Sequence, residues 1–404
     1  RTVADILQQL DQYKPDAEAY AKRLAAFNTP VPETTDSTVL ARHFHARSRD
    51  AQVLGLIDER IDMLEKALPH ARRANLRGSA AGGNLDRVLS DLSNAWGARD
   101  YLKAIAYAEE LLKTTNNASG YYIGETAKIA NYLTSLGEYE ASDRMIARAE
   151  SALVASRMGR DFAVYGSGWR SYVEYAKAYN LRDRGKLAES EQLFRSVIAL
   201  TDEAQRASVD ARARGADVRS EADIAGYRES ATQVLALTLQ RMGRLDEAEL
   251  MLRDLLKVRL SRTGRSSIGV ADNLRSLAGV LSDQGRTLEA LQLAAQSARM
   301  LNELGVPKKG LSSLWAHQMH AGLLTAAGRF AESAREFEAI RDSVGDDAQL
   351  RARFGTGNRV WAYALMKTGR ASQAIDMLRG TVDRTEKVLG PAHVDSGFAR
   401  AYLG

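Results

Sequence analysis

Gly243-Arg-Leu-Asp-Glu-Ala248, Gly285-Arg-Thr-Leu-Glu-Ala290, Gly328-Arg-Phe-Ala-Glu-Ser333 and Gly369-Arg-Ala-Ser-Gln-Ala374 are one phrase written four times, with glycines 42, 43 and 41 residues apart. Earlier copies read Gly137-Glu-Tyr-Glu-Ala-Ser142 and Gly185-Lys-Leu-Ala-Glu-Ser190. Arg99-Asp-Tyr-Leu-Lys-Ala104 is the same phrase with the glycine lost, and Gly55-Leu-Ile-Asp-Glu-Arg60 is a degenerate first copy. A glycine closes a helix where the chain must enter the left-handed region, which is costly for a residue with a Cβ. The small residue five positions on lets a second helix approach the first. Apolar residues flank the phrase at helical spacing: Leu274, Leu277, Ala278 and Leu281 before Gly285, then Ala290, Leu291, Ala294 and Leu301 after it. Each unit is therefore an antiparallel helix pair whose apolar faces exceed what one pair buries, so neighbouring pairs must stack.

Bulk properties agree. Of the 404 residues 45% are hydrophobic and only six are proline, which leaves long stretches free to be helical. The net charge of +5 comes from interspersed acids and bases with no long run of either sign, so no nucleic-acid footprint stands out. The absence of cysteine excludes disulfides, thiolate nucleophiles and zinc–thiolate sites within this chain. No apolar run approaches the length of a membrane span, about 18 residues or more. The expectation is a soluble protein, with cytoplasm and periplasm both open and its oligomeric state unassigned.

The Gly-x-x-x-x-Ala/Ser phrase, preceded by Leu-x-x-Leu-Ala-x-x-Leu, resembles the tetratricopeptide repeat. Its spacing near 42, against about 34 in the ordinary repeat, is similar to the long repeats of kinesin light chains and many bacterial proteins. Ile268-Gly-Val-Ala-Asp-Asn-Leu-Arg-Ser-Leu-Ala278 and Glu386-Lys-Val-Leu-Gly-Pro-Ala-His-Val-Asp395 fit that variant. The resemblance implies an all-α superhelix of about seven to eight antiparallel helix pairs. Residues 1–75 are expected to form an N-terminal helical cap with the degenerate first repeat. Residues 76–404 are expected to form the superhelix, lengthened at about 160–242, with its last repeat cut short. Within the cap, Val3 to Tyr13 and Asp16 to Phe27 read as short helices, and 29–36 as a linker before a helix from about Ser37. The charged segment Ala204 to Ile224 reads as an extended helix pair or a loop.

Candidate chemistry is sparse. His317 and His320 are three apart, but they align with Leu274 and Leu277 and are expected to face the repeat core rather than a metal. Gly78-Ser-Ala-Ala-Gly-Gly83 lacks the Lys-Ser/Thr of a phosphate loop, and Gly166-Ser167-Gly168 lacks the spacing of a nucleophile elbow. No catalytic residue, metal ligand or cofactor is assigned.

One feature stands apart. Tyr165, Trp169, Tyr172, Tyr175 and Tyr179 recur at steps of three and four, an aromatic stripe along one helix. Aligned on Gly185, Tyr172, Tyr175 and Tyr179 fall on the side expected to line a groove, with Trp169 counted among the groove residues, unless long neighbouring helices cover the stripe. The same alignment puts Asn131 and Thr134, Gln233 and Arg241, Arg275, Gln318, and Arg359 with Tyr363 on that side. Ala127 precedes Asn131 by one turn, so the Lys–Asn clamp with which some tetratricopeptide proteins hold chaperone tails is not reproduced. The expected function is a scaffold that binds a protein partner (a peptide, helix or domain) in this groove. An alternative follows from a second resemblance: the layout is similar to the region preceding the caspase-like protease domain of bacterial CHAT-domain proteins. It would make the chain the regulatory part of a larger enzyme.

Overall fold

The computed structural model describes residues 2–13, 17–74, 83–215, 221–265, 267–351, 354, 359–391 and 394–403. Among them there is no strand, and the fold is all-α. Pro15, most of the Gly78–Gly83 segment, residues 216–220 and His393 lie outside the described residues.

The chain divides into two compact units, Pro15–Gly264 and Arg1–Lys14 with Arg265–Gly404. The first holds α2 (Ala17–Phe27) and five helix pairs. These are α3 (Ser37–Val53) with α4 (Ile57–Ala74), α5 (Leu85–Trp96) with α6 (Tyr101–Thr114), and α7 (Gly120–Ser135) with α8 (Tyr139–Ser156). Then come α9 (Phe162–Asp183) with α10 (Leu187–Ala213), and α11 (Glu221–Arg241) with α12 (Leu245–Thr263). The second holds α1 (Val3–Gln12), α13 (Ile268–Asp283) with α14 (Thr287–Glu303), and α15 (Leu311–Ala326) with α16 (Phe330–Val344). The one-turn α17 (Ala348–Leu350) follows, then α18 (Arg359–Lys367) with α19 (Ala371–Leu389), and α20 (Val394–Leu403). Each pair packs on itself, and within a unit on the next.

The repeated phrase has one geometry wherever its glycine is present. Gly137, Gly185, Gly243, Gly285, Gly328 and Gly369 all have φ between +76° and +81°. The following N–H reaches back to the carbonyl five residues earlier: Arg244 to Leu239 at 3.0 Å, Arg286 to Leu281 at 2.9 Å, Arg329 to Leu324 at 2.8 Å. Gly55, at φ +77°, makes the same turn, with Leu56 N donating to Ala51 O at 2.9 Å. The copy at Arg99 uses another device, the Asp100 carboxylate accepting from Leu102 N and Lys103 N to start α6.

The small residue does what its size allows. Ala248, Ala290 and Ala374 are fully buried. Where it is serine, the hydroxyl donates to the facing helix's backbone: Ser142 to Ala130 O at 3.0 Å, Ser190 to Ala178 O and Ser333 to Ala321 O at 2.8 Å. In three copies the Arg after the glycine also forks onto the glutamate three residues on: Arg244–Glu247, Arg286–Glu289 and Arg329–Glu332.

Two placements bear on the sequence reading. Helix α1 belongs with the second unit: Val3, Ile6 and Leu10 are buried, Val3 N donates to Glu289 at 3.0 Å, and Arg265 pairs with Asp11 at 3.1 Å. The charged stretch is helical to Ala213, and Ala204, Ser208 and Ala211 are buried along α10.

Candidate partner-binding surface

The long helices α9, α10 and α11 are where side-chain character departs from the aliphatic repeat core. All five stripe residues on α9 are half-buried, and they divide into two groups.

The N-terminal group, Tyr165, Trp169 and Tyr172, lines an apolar cavity of about 100 Å³. Thr201, Ala204 and Ser208 of α10 close it on one side, and Ile224 and Tyr227 of α11 on another. Tyr165 stacks on Trp169 with ring centroids 6.0 Å apart, and Tyr172 meets Tyr227 edge-on at 5.0 Å. Trp169 also lies over Gly120 of α7, where an added Cβ would collide with the indole.

The C-terminal group, Tyr175 and Tyr179, is more enclosed. Tyr175 packs edge-on against Phe194 of α10 at 5.4 Å, against Tyr227 at 5.4 Å, and stacks on Tyr179 at 6.3 Å. Burial pushes its hydroxyl well above the usual tyrosine range, and Tyr179 adds to the shift. The Tyr179 hydroxyl lies 3.3 Å from Ser135 Oγ, and the Arg182 guanidinium sits 4.6 Å from its ring centroid. Arg241, half exposed, donates to Arg182 O at 3.1 Å, so it joins the end of the stripe.

The other expected groove residues are placed as follows. Asn131 and Gln233 are half-buried in the first unit. Thr134 is not a groove residue: it is 1% exposed and its hydroxyl lies 2.8 Å from Ser142 Oγ, inside the α7–α8 pair. In the second unit, Arg275 is half-buried 3.6 Å from Asp272, Gln318 is half-buried and Arg359 exposed. Tyr363 is exposed, edge-on to Phe330 at 5.7 Å.

His317 and His320 differ from their aligned leucines. Leu274 and Leu277 are fully buried, whereas the imidazoles are half-buried and share one oxygen of Glu336 on α16, at 2.6 and 3.2 Å. Burial raises the pKa of Glu336, but the two histidine hydrogen bonds outweigh it and hold the carboxyl down to about 2. Among the described residues no group of three or more His, Asp or Glu is arranged to hold a metal ion, and no helix is long and apolar enough to cross a membrane.

Two stretches of the sequence, residues 228–303 and 362–395, match family models of the tetratricopeptide repeat. The chain carries tetratricopeptide repeats. The coarse function that goes with such repeats is that of a protein-interaction scaffold.

No curated protein matches the sequence. Among solved structures, one similar chain comes from Podosopora anserina, named as a kinesin light chain with nearly identical TPR-like repeats. It is 18% identical over 55% of this chain and 96% of its own, with a TM-score of 0.40. A Rap protein complexed with competence and sporulation factor is 11% identical over 91% of this chain and 96% of its own, at 0.48. Aspartyl phosphate phosphatase F from Bacillus subtilis is 10% identical over 93% and 94%, also at 0.48.

Within the tetratricopeptide frame, two residues absent from the sequence-derived surface help build it. Tyr227 contacts both Tyr172 and Tyr175, and Phe194 anchors Tyr175. Tyr227 follows Ile224 by three in an otherwise charged stretch, and that apolar pair was the available signal.

Proposed function

We propose that this chain is a non-enzymatic protein-interaction scaffold, and that the α9–α11 surface receives an apolar side chain of a peptide, helix or partner domain. The apolar cavity walled by Tyr165, Trp169, Tyr172, Ile224 and Tyr227 carries the reading. Its volume of about 100 Å³ suits one aliphatic or aromatic anchor. Aromatic walls supply large contact area at small cost in side-chain entropy, and such anchors commonly dominate interface energetics. Arg241, at the far end of the stripe, and Gln233 on α11 would contribute polar contacts at the rim. The remaining candidates, Asn131 on α7 and Arg275, Gln318, Arg359 and Tyr363 in the second unit, lie on other first helices and are not assigned to this surface. The reading assigns no cofactor, metal or catalytic step.

Selection of ligands from a displayed random-peptide library against the intact chain tests it. The expected ligands share one large apolar residue, and Trp169→Ala weakens them tenfold or more. A ligand set without a common apolar residue, or one indifferent to Trp169→Ala, would count against the cavity.

A further inference from the structure

Helix α14 carries two buried stripes. Ala290, Ala294, Ser297 and Leu301 face the repeat core. Beside them Glu289, Leu293, Gln296 and Met300 recur at steps of four, three and four, a second stripe along the same helix. Leu293, Gln296 and Met300 are 0%, 8% and 2% exposed. The repeat does not require this burial. At the aligned places α12 has Met251, half-buried, and Asp254 and Val258, exposed; α16 has Glu336 and Ser343, half-buried, and Ala339, exposed.

What differs is α1, which packs on α14 in addition to α13 and α15. Val3 N donates to Glu289 Oε2 at 3.0 Å, at the start of the second stripe, and Asp11 pairs with Arg265 at 3.1 Å, just before α13 begins. Because α13 and α14 are antiparallel, α1 runs in the same direction as α14, along the stripe. Its buried residues Val3, Ile6 and Leu10 stand at i, i+3 and i+7, the spacing with which an amphipathic helix seats on an apolar face. Since α14 is the second helix of its pair, this face is distinct from any surface lined by first helices.

The hold on α1 is light. It has ten residues, and helices shorter than about 12–15 residues are marginal on their own. The Asp11 carboxylate is 75% exposed, and an ion pair so open to water contributes little. Attachment to the chain keeps such a helix in place by effective concentration, which a helix with stronger anchors can overcome.

We propose that this face of α14 is the docking site for an amphipathic helix of a partner protein, masked by α1 in the free chain and vacated when the partner's helix displaces it. The helix that fits carries apolar residues at i, i+3 and i+7, a first-turn N–H at Glu289, and an acidic residue at i+8 against Arg265.

The probe is a fluorescein-labelled amide peptide of residues 2–13, titrated by anisotropy against the full chain and against its Ile6→Glu/Leu10→Glu variant, in which α1 no longer covers the face. The variant is expected to bind the peptide at least tenfold more tightly than the parent. A peptide with serine in place of the three anchors should not bind. Adding Met300→Ser, the residue α16 carries at that place, should weaken binding tenfold or more with unchanged circular dichroism. In the parent chain, excess peptide should speed hydrogen exchange in α1, a readout that does not depend on the variant folding. While α1 is docked the face is closed, so ligands selected against the parent chain report the α9–α11 cavity instead. The proposal is overturned if the peptide binds neither chain, if parent and variant bind it equally, if Met300→Ser has no effect, or if α1 exchange is unmoved by excess peptide. It is also overturned if light scattering finds a parent dimer that the Ile6→Glu/Leu10→Glu variant loses, since a second copy would then be the occupant.

Discussion

The pairs α13–α14 and α15–α16 differ from α9–α10 and α11–α12 although all descend from one phrase. In the former the aligned inward positions are aliphatic: Ala271 and Leu314 on the first helices, Leu301 and Val344 on the second, all buried. In α11 and α12 the same positions hold Glu229 and Arg259, 4% and 5% exposed and paired at 3.3 Å. The position filled by Arg275 and Gln318 in the regular repeats holds Tyr175 in α9, enclosed by Phe194, Tyr179 and Tyr227. At these positions α13–α16 close their core with aliphatic side chains alone. The lengthened helices, 22 residues in α9, 27 in α10 and 21 in α11, extend past that core and are joined by rings and ions that leave cavities. The departure from repeat regularity coincides with the aromatic and ionic clusters and with the apolar cavity among these helices.

The largest expected effect breaks the ionic half of this contrast. Glu229→Ala removes the carboxylate on which the buried Arg259 and its neighbour Arg262 both sit and is expected to cost about 3–5 kcal/mol of stability. The double variant Glu229→Ala/Arg259→Leu restores the regular pattern and should recover most of that loss. Denaturant unfolding measures both, and a double variant no more stable than the single one would show that the pair does more than fill the aliphatic positions.

Next comes the aromatic half. Tyr175→Ala removes a ring packed on three others and is expected to cost about 3 kcal/mol. Gln318→Ala, at the aligned position, should stay within about 0.5 kcal/mol. Equal costs in thermal or denaturant unfolding would erase the distinction between the two regions.

A smaller effect lies in the regular region. Glu336→Gln weakens the hydrogen bonds of His317 and His320 to a charged acceptor and is expected to cost about 2 kcal/mol near neutral pH. The carboxyl is held at about 2 in the folded chain against an ordinary 4.5. A depressed carboxyl stabilises the fold above its unfolded value, and that contribution fades as pH falls from about 4.5 towards 2. The difference in stability between parent and variant should narrow over that window. A constant difference would assign the loss to packing.

What was legible in the sequence follows from the same contrast. The phrase is readable because a left-handed glycine and a small residue five positions later are local demands. Six glycines at nearly one φ and three identical serine–carbonyl bonds express them. Helix α1 could be recognised as a helix from its periodicity, but its docking at Glu289 joins residues nearly three hundred apart, and no local pattern encodes that. The stripe itself was readable at steps of three and four. Its division was not, because the enclosing rings Phe194 and Tyr227 come from two other helices and one of them sits in a charged stretch. Thr134 was misplaced for a related reason. A threonine facing a serine can satisfy its hydroxyl inside a pair, so polarity alone did not tell groove from core.

Hydrogen exchange of the intact chain, with and without a peptide selected to bind it, tests the central claim most directly. If the irregular first-unit helices form the receiving surface, added peptide slows exchange in α9, α10 and α11 and leaves α13 to α16 unchanged. Protection confined to α13–α16, or spread evenly over all the repeats, would contradict the account.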